Sequence, residues 1–210
     1  MKITNIMANS TSRLIFLSIV IIAILAGCIR DNPQKSWQRK AAEKAYAELG
    51  SVNDDAKRVA IRDYVKALLS LDKGGDPDRR FSQGRTLLMM AVLQGNKDIV
   101  ERMLSLDVYA DVNCVDDNGN TPLILACERA DIDIAKMLVE SGAQVNLQNN
   151  EGMTALMACA RKGCKAIVVV LMSAGANIRM QDNNGDMVGN YAKSGGHADL
   201  ISFIANFHSK

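Results

Sequence analysis

The chain has 210 residues, 48% of them hydrophobic and 4% aromatic, with 25 basic against 23 acidic side chains. That length suits one domain with an appendage, and the near-balance of charge leaves no basic footprint for phosphate-driven nucleic-acid binding. No stretch interleaves Lys and Arg with aromatic residues.

Met1–Gly27 holds Lys2 and Arg13 and no acid, and from Leu14 it runs LIFLSIVIIAILAG up to Cys28. This apolar run is shorter than the ~20 residues a membrane-spanning helix needs, but it suits a secretory signal. Leu25-Ala26-Gly27-Cys28 resembles the bacterial lipobox. The resemblance implies removal of residues 1–27 and attachment of a diacylglycerol to the Cys28 sulfur. The competing reading is an uncleaved membrane helix that happens to end in Cys. Ile29, in place of an acid after the cysteine, implies by the same resemblance a periplasmic chain anchored in the outer membrane. The processed chain would hold 183 residues, with 23 basic and 23 acidic groups.

Residues 28–36 read as a lipidated polar tether, in which Arg30–Ser36 spans roughly 25 Å at about 3.5 Å per residue. Asn32-Pro33 signals a helix start and Gly50 its end, with Trp37, Ala41, Ala45 and Leu49 on one side. Asn53 or Asp54 begins a longer helix in which Val59, Tyr64, Val65, Leu68 and Leu69 face one way. Residues 37–80 form a degenerate N-terminal helical repeat, since Val65–Asp72 aligns with Val100–Asp107 at a spacing of 35.

From Phe81 a repeat becomes plain, in units of about 81–115, 116–148, 149–181 and 182–208. Steps of 33 residues carry Gly119 to Gly152 to Gly185, Thr121 to Thr154, and Leu123 to Leu156. Asn118-Gly119 predicts a tight turn, because both residues tolerate positive φ. Thr121 is placed to cap a helix that Pro122 opens. Leu123, Ala126 and Cys127 then give a narrow apolar stripe, and Ile132, Ile134, Ala135, Leu138 and Val139 a broader one on a second helix. Gly142 ends that helix as an αL residue would. Helices this short cannot bury their apolar faces alone, so neighbours must stack. In the last unit Met187 stands where Thr belongs and Gly189 where Leu belongs; Leu200, Ile201, Phe203 and Ile204 make it a cap.

Thr121-Pro122-Leu123, Ala126, Leu138, Gly142-Ala143 and Val145-Asn146 resemble the ankyrin repeat. The fold class is accordingly all-α, an ankyrin-repeat solenoid of stacked helix pairs with short β-turn fingers. The family resemblance implies a concave face lined by finger tips and first helices, where protein partners bind. In the first unit that face takes Gln83 and Arg85, and in the second Asp117, Asn118, Asn120, Glu128 and Arg129. In the third it takes Asn150, Glu151, Met153, Arg161 and Lys162, and in the fourth Asn183, Asn184 and Asp186. The alternative for each is plain solvated surface. Fifteen positions lie near the low end of a standard interface, where ~20–30 residues a side are usual. The mixture of acids, amides and arginines suits a polar protein surface rather than lipid or DNA.

Chemistry-bearing constellations are absent from the sequence. There is no paired-Cys zinc spacing, and the two histidines read as a structural His197 in a Gly-His pair and a tail residue, His208. Asp116–Asn120 and Asp182–Asp186 look superficially like calcium loops, but the twelfth position holds Cys127 or Lys193 instead of Glu. No Gly-x-Ser-x-Gly elbow or phosphate-cradling loop occurs, so neither catalysis, metal nor cofactor is expected. Cys114, Cys127, Cys159 and Cys164 are expected as free thiols, although an even count in an oxidising compartment also permits disulfides. The methionines read as core filler.

The expectation is a monomeric, non-catalytic binding protein held to a membrane through the Cys28 lipid. Its plan resembles that of immunity lipoproteins that neutralise type VI phospholipase effectors in the periplasm. The alternative is a scaffold or chaperone protecting a periplasmic enzyme.

Overall fold

The computed structural model describes Tyr64, Ala67, residues 76–105, Val108 and residues 110–207. The signal segment, Cys28, the tether and all of the degenerate N-terminal repeat but Tyr64, Ala67 and residues 76–80 lie outside the described residues. The chain divides into two compact units, Met1–Gly74 and Gly75–Lys210. The second is described below.

Its described residues form eight α-helices and no strands, as the sequence predicts. They are α1 (Leu87–Gln94), α2 (Lys97–Leu104), α3 (Pro122–Arg129), α4 (Ile132–Glu140), α5 (Ala155–Lys162), α6 (Lys165–Ser173), α7 (Val188–Ser194) and α8 (Ala198–Phe207). First helices pack in a row, α1 on α3, α3 on α5 and α5 on α7, while second helices α2, α4 and α6 form a parallel row behind them. The pattern is a solenoid, each pair completing its neighbour's core.

The expected breadth of the two apolar stripes is reversed. On α3 every residue from Pro122 to Cys127 is buried, and on α5 every residue from Ala155 to Ala160. Each inner helix is enclosed by a first helix on either side and by its own second helix, so it is apolar nearly all round. On α4 only Ile134, Ala135 and Leu138 are buried, leaving Ile132 and Val139 half-buried. Cys127 and Cys159 are fully buried among the inner helices, and the four described cysteines are free thiols. Burial, together with the neighbouring Cys127 thiol, pushes the Cys159 thiol far up. It acts as a small apolar filler.

Helix starts follow the capping rule. The hydroxyls of Thr86, Thr121 and Thr154 accept the N–H of Met89, Ile124 and Met157 at 3.4, 3.2 and 3.3 Å. In the last pair Met187 offers no hydroxyl, and Asn190 Oδ1 instead accepts the Met187 N–H at 3.2 Å.

One stop departs from the rule. Gly95 and Gly163 close α1 and α5 in the left-handed region, but α3 is closed by Ala130 at φ 61°. A Cβ there carries a steric penalty of roughly 1 kcal/mol that glycine avoids. Ala130→Gly is expected to raise stability by about 1 kcal/mol in urea unfolding. An unchanged or lowered midpoint would show that the extra freedom of the unfolded glycine outweighs the relief.

Candidate functional site

Four fingers precede the first helices: Phe81–Arg85, Asp116–Asn120, Asn149–Met153 and Asp182–Asp186. Each is closed by a backbone hydrogen bond from its first residue to its fifth, with N···O distances of 2.8, 3.1, 3.1 and 3.0 Å in order. In the last three fingers the first residue is Asp or Asn, and its Oδ1 accepts two backbone N–H groups of the same finger. Asp116 takes Asn118 and Asn120, Asn149 takes Glu151 and Met153, and Asp182 takes Asn184 and Asp186, all at 2.8–3.0 Å. These are Asx turns, which hold the tip rigid before any partner arrives. The first finger has Phe81 at that place and turns instead with both Gln83 and Gly84 at positive φ. In the second only Gly119 takes positive φ; Asn118 does not.

Successive fingers are laddered together. The N–H groups of Asp117, Asn150 and Asn183 donate to the carbonyls of Gln83, Asn118 and Glu151 in the finger before, at 3.0–3.1 Å. The side-chain amides of Asn150 and Asn183 add bonds of 3.0 and 2.8 Å to the Asp117 and Asn150 carbonyls. Gly119 and Gly152 sit where the next finger crosses, so closely that a Cβ would lie 2.8 and 2.7 Å from the backbone nitrogens of Asn150 and Asn183.

The residues expected on the concave face therefore fall into distinct environments. Asp117, Asn118, Asn150, Glu151, Asn183 and Asn184 are exposed along the finger row. Among them, the Asn150 and Asn183 amides are also ladder rungs. Arg85, half-buried, places Nε 4.0 Å from Asp116 Oδ2. Arg161 pairs with Glu128 one repeat earlier, and Arg129 donates to the Leu93 carbonyl of the first pair. Lys162 is exposed, and Asn120 and Asp186 are half-buried at their finger ends. Met153 is 5% exposed and lies at the bottom of a groove rather than at a tip. That groove, of about 410 Å³, runs between the second and third fingers and is lined by Asn118, Asn120, Leu125, Glu128, Asn149, Asn150, Glu151 and Met153. The site also contains Leu125, Asn149, Asp116 and Asp182, beyond the residues the sequence singles out. The last three were legible in principle, as an Asx residue two and four positions ahead of the N–H groups it caps.

The fourth finger is braced from the first helix as well. Tyr191 Oη donates to Asp182 Oδ2 at 2.8 Å. Burial works against the Asp182 carboxylate, but that bond and the backbone N–H groups of Asp186 and Asn184 outweigh it and hold its pKa below the ordinary value. Burial and the same carboxylate push the Tyr191 phenol up to about 12. A carboxyl depressed in the folded state stabilises above its unfolded pKa of about 4, and that contribution is lost as pH falls through the lower folded value. Asp182→Asn, which keeps the Oδ1 acceptor that Asn149 supplies in the third finger, is expected to flatten the loss of stability below about pH 4. Thermal unfolding of both proteins across that range checks this; identical acid limbs would remove Asp182 from the titration.

Among the described residues, no group of three or more His, Cys, Asp or Glu side chains could hold a metal, and no helix is long and apolar enough to cross a membrane. The family model for ankyrin repeats (3 copies) matches residues 56–149 and 109–182. The chain is 31% identical over 78 residues to delta-latroinsectotoxin-Lt1a of Latrodectus tredecimguttatus, covering 37% of this chain and 6% of the relative. It is 35% identical over 92 residues to the poly [ADP-ribose] polymerase tankyrase of Caenorhabditis elegans, covering 38% and 4%. With alpha-latrotoxin-Lg1a of Latrodectus geometricus it shares 34% over 62 residues, covering 30% and 4%. The chain thus spans a small fraction of the length of each of these relatives.

Proposed function

The chain belongs to the ankyrin-repeat family, whose stacks are protein-interaction modules, and we propose that it is a membrane-tethered inhibitor of a toxin acting in the periplasm. The toxin is of the phospholipase type delivered by type VI secretion. The observation that carries the binding role is the finger row: four tips, pre-ordered by their own hydrogen bonds, present carboxylates and amides along one face. Little ordering entropy remains to be lost when a partner docks there. Support for the location comes from Cys28 and the apolar run before it. An inhibitor tethered beside the bilayer meets a lipase where the enzyme works, at raised effective concentration.

Two measurements test the reading separately. Deleting the gene and challenging cells with the cognate toxin is expected to kill them, and restoring the chain to rescue them; unchanged survival of the deletion strain removes the inhibitor role. Cys28→Ser is expected to move the protein out of the membrane fraction, and retention there without acylation removes the anchor.

A further inference from the structure

The groove between the second and third fingers has an unequal supply of hydrogen-bonding groups. Its backbone donors are all spent. Asn118 and Asn120 donate to Asp116, Glu151 and Met153 to Asn149, and Asn150 to the Asn118 carbonyl. Gly119 and Gly152 donate to the carbonyls that open their own fingers. The side-chain amides of Asn120, Asn149 and Asn150 each commit one hydrogen, to Asp116 Oδ2, Asn120 Oδ1 and the Asp117 carbonyl at 3.3, 2.8 and 3.0 Å, so the donors left in the groove are neutral amide hydrogens. Acceptors, by contrast, remain. The Glu151 carboxylate accepts no hydrogen bond among the described residues. Glu128 engages Arg161 through Oε1, which leaves its second oxygen available. Below them, Leu125 and Met153 form an apolar floor, 6% and 5% exposed.

We infer that this groove takes a basic side chain, arginine or lysine, from the protein partner. Its aliphatic stem would lie on Leu125 and Met153, and its charged head would donate to Glu151 and Glu128. The inference rests on the proposed binding role of this face and names what the face selects. A cavity of about 410 Å³ has room for one such side chain with water around it. A carboxylate or phosphate entering the same space would meet the uncompensated Glu151 carboxylate and only neutral amide hydrogens as donors, so anionic partner groups are disfavoured there. Lys and Arg commonly lay apolar stems along apolar surface while the head stays polar, and the groove offers that arrangement in one place.

The test uses the full chain in detergent, labelled at its methionine methyl groups, with N-acetyl-arginine amide as the probe and N-acetyl-glutamine amide as the control. The expected result is a saturable shift of the Met153 methyl signal with the arginine compound and none with the glutamine one. Glu151→Gln, which removes a charge without breaking a bond within the fold, is expected to weaken that binding about fivefold. Absence of a saturable shift, equal shifts with both compounds, or unchanged binding to the Glu151→Gln protein would overturn the inference. The outcome is separable from the inhibitor role. Cells rescued equally well by the Glu151→Gln chain would keep that role while excluding this groove from it.

Discussion

Gly152→Ala is expected to destabilise the fold by about 3 kcal/mol. Two terms add. At φ +79° an L side chain sits in the left-handed region, at roughly 1–2 kcal/mol. The new Cβ would also lie 2.7 Å from the Asn183 nitrogen and 2.8 Å from the Asp182 Cα, both backbone atoms of the next finger. Neither can swing aside as a side-chain tip would, so the fingers must part, at about 1–3 kcal/mol more for overpacking. Gly142→Ala separates the terms, because its φ is +87° and its Cβ would meet nothing within 4 Å. That variant is expected to lose only the conformational part. Urea unfolding of both checks the argument, and equal losses would show that the close approach of the fingers carries no energy.

Leu138→Ala is expected to destabilise by about 3 kcal/mol and to broaden the unfolding transition. Leu138 is fully buried on α4, which packs on both α2 and α6. Truncating it leaves a cavity in a region that can collapse only partly. Repeats contact only their neighbours, so a defect in a central pair interrupts the coupling between the pairs on either side. Leu200→Ala, at an equally buried position on the terminal helix α8, is expected to lower stability while leaving the transition sharper. Calorimetry of the two variants distinguishes them; equally narrow transitions would mean that the stack unfolds as one unit irrespective of where it is weakened.

The repeat was readable because its constraints are local. Gly119, Thr121 and Pro122 mark a turn, a cap and a helix start through their own backbone preferences, and the structure uses each that way. The last unit's departures, Met187 and Gly189, were visible by the same logic. What a single chain of letters hides is contact between units. A period says that Asn150 and Asn183 are equivalent, but not that the amide of one reaches the carbonyl of the other. For the same reason the inner helices were assigned too narrow an apolar stripe, since enclosure on both sides is a property of the pile. Met153 looked like a tip residue by position, yet it follows Gly152 into the space beneath the third finger. Ala130 gave no warning at all, because a left-handed helix stop is signalled by glycine or asparagine and alanine carries the Cβ that disfavours it.

The finger ladder has a polarity. Every rung is donated by the later unit and received by the earlier one; the backbone rung recurs at all three junctions, and the amide rung at the last two. The backbone rung makes no use of side-chain identity, so copies of the motif join one after another as bricks do in a course. A gene could lengthen or shorten this wall by one whole brick, altering which chemical letters it displays while leaving its mortar untouched.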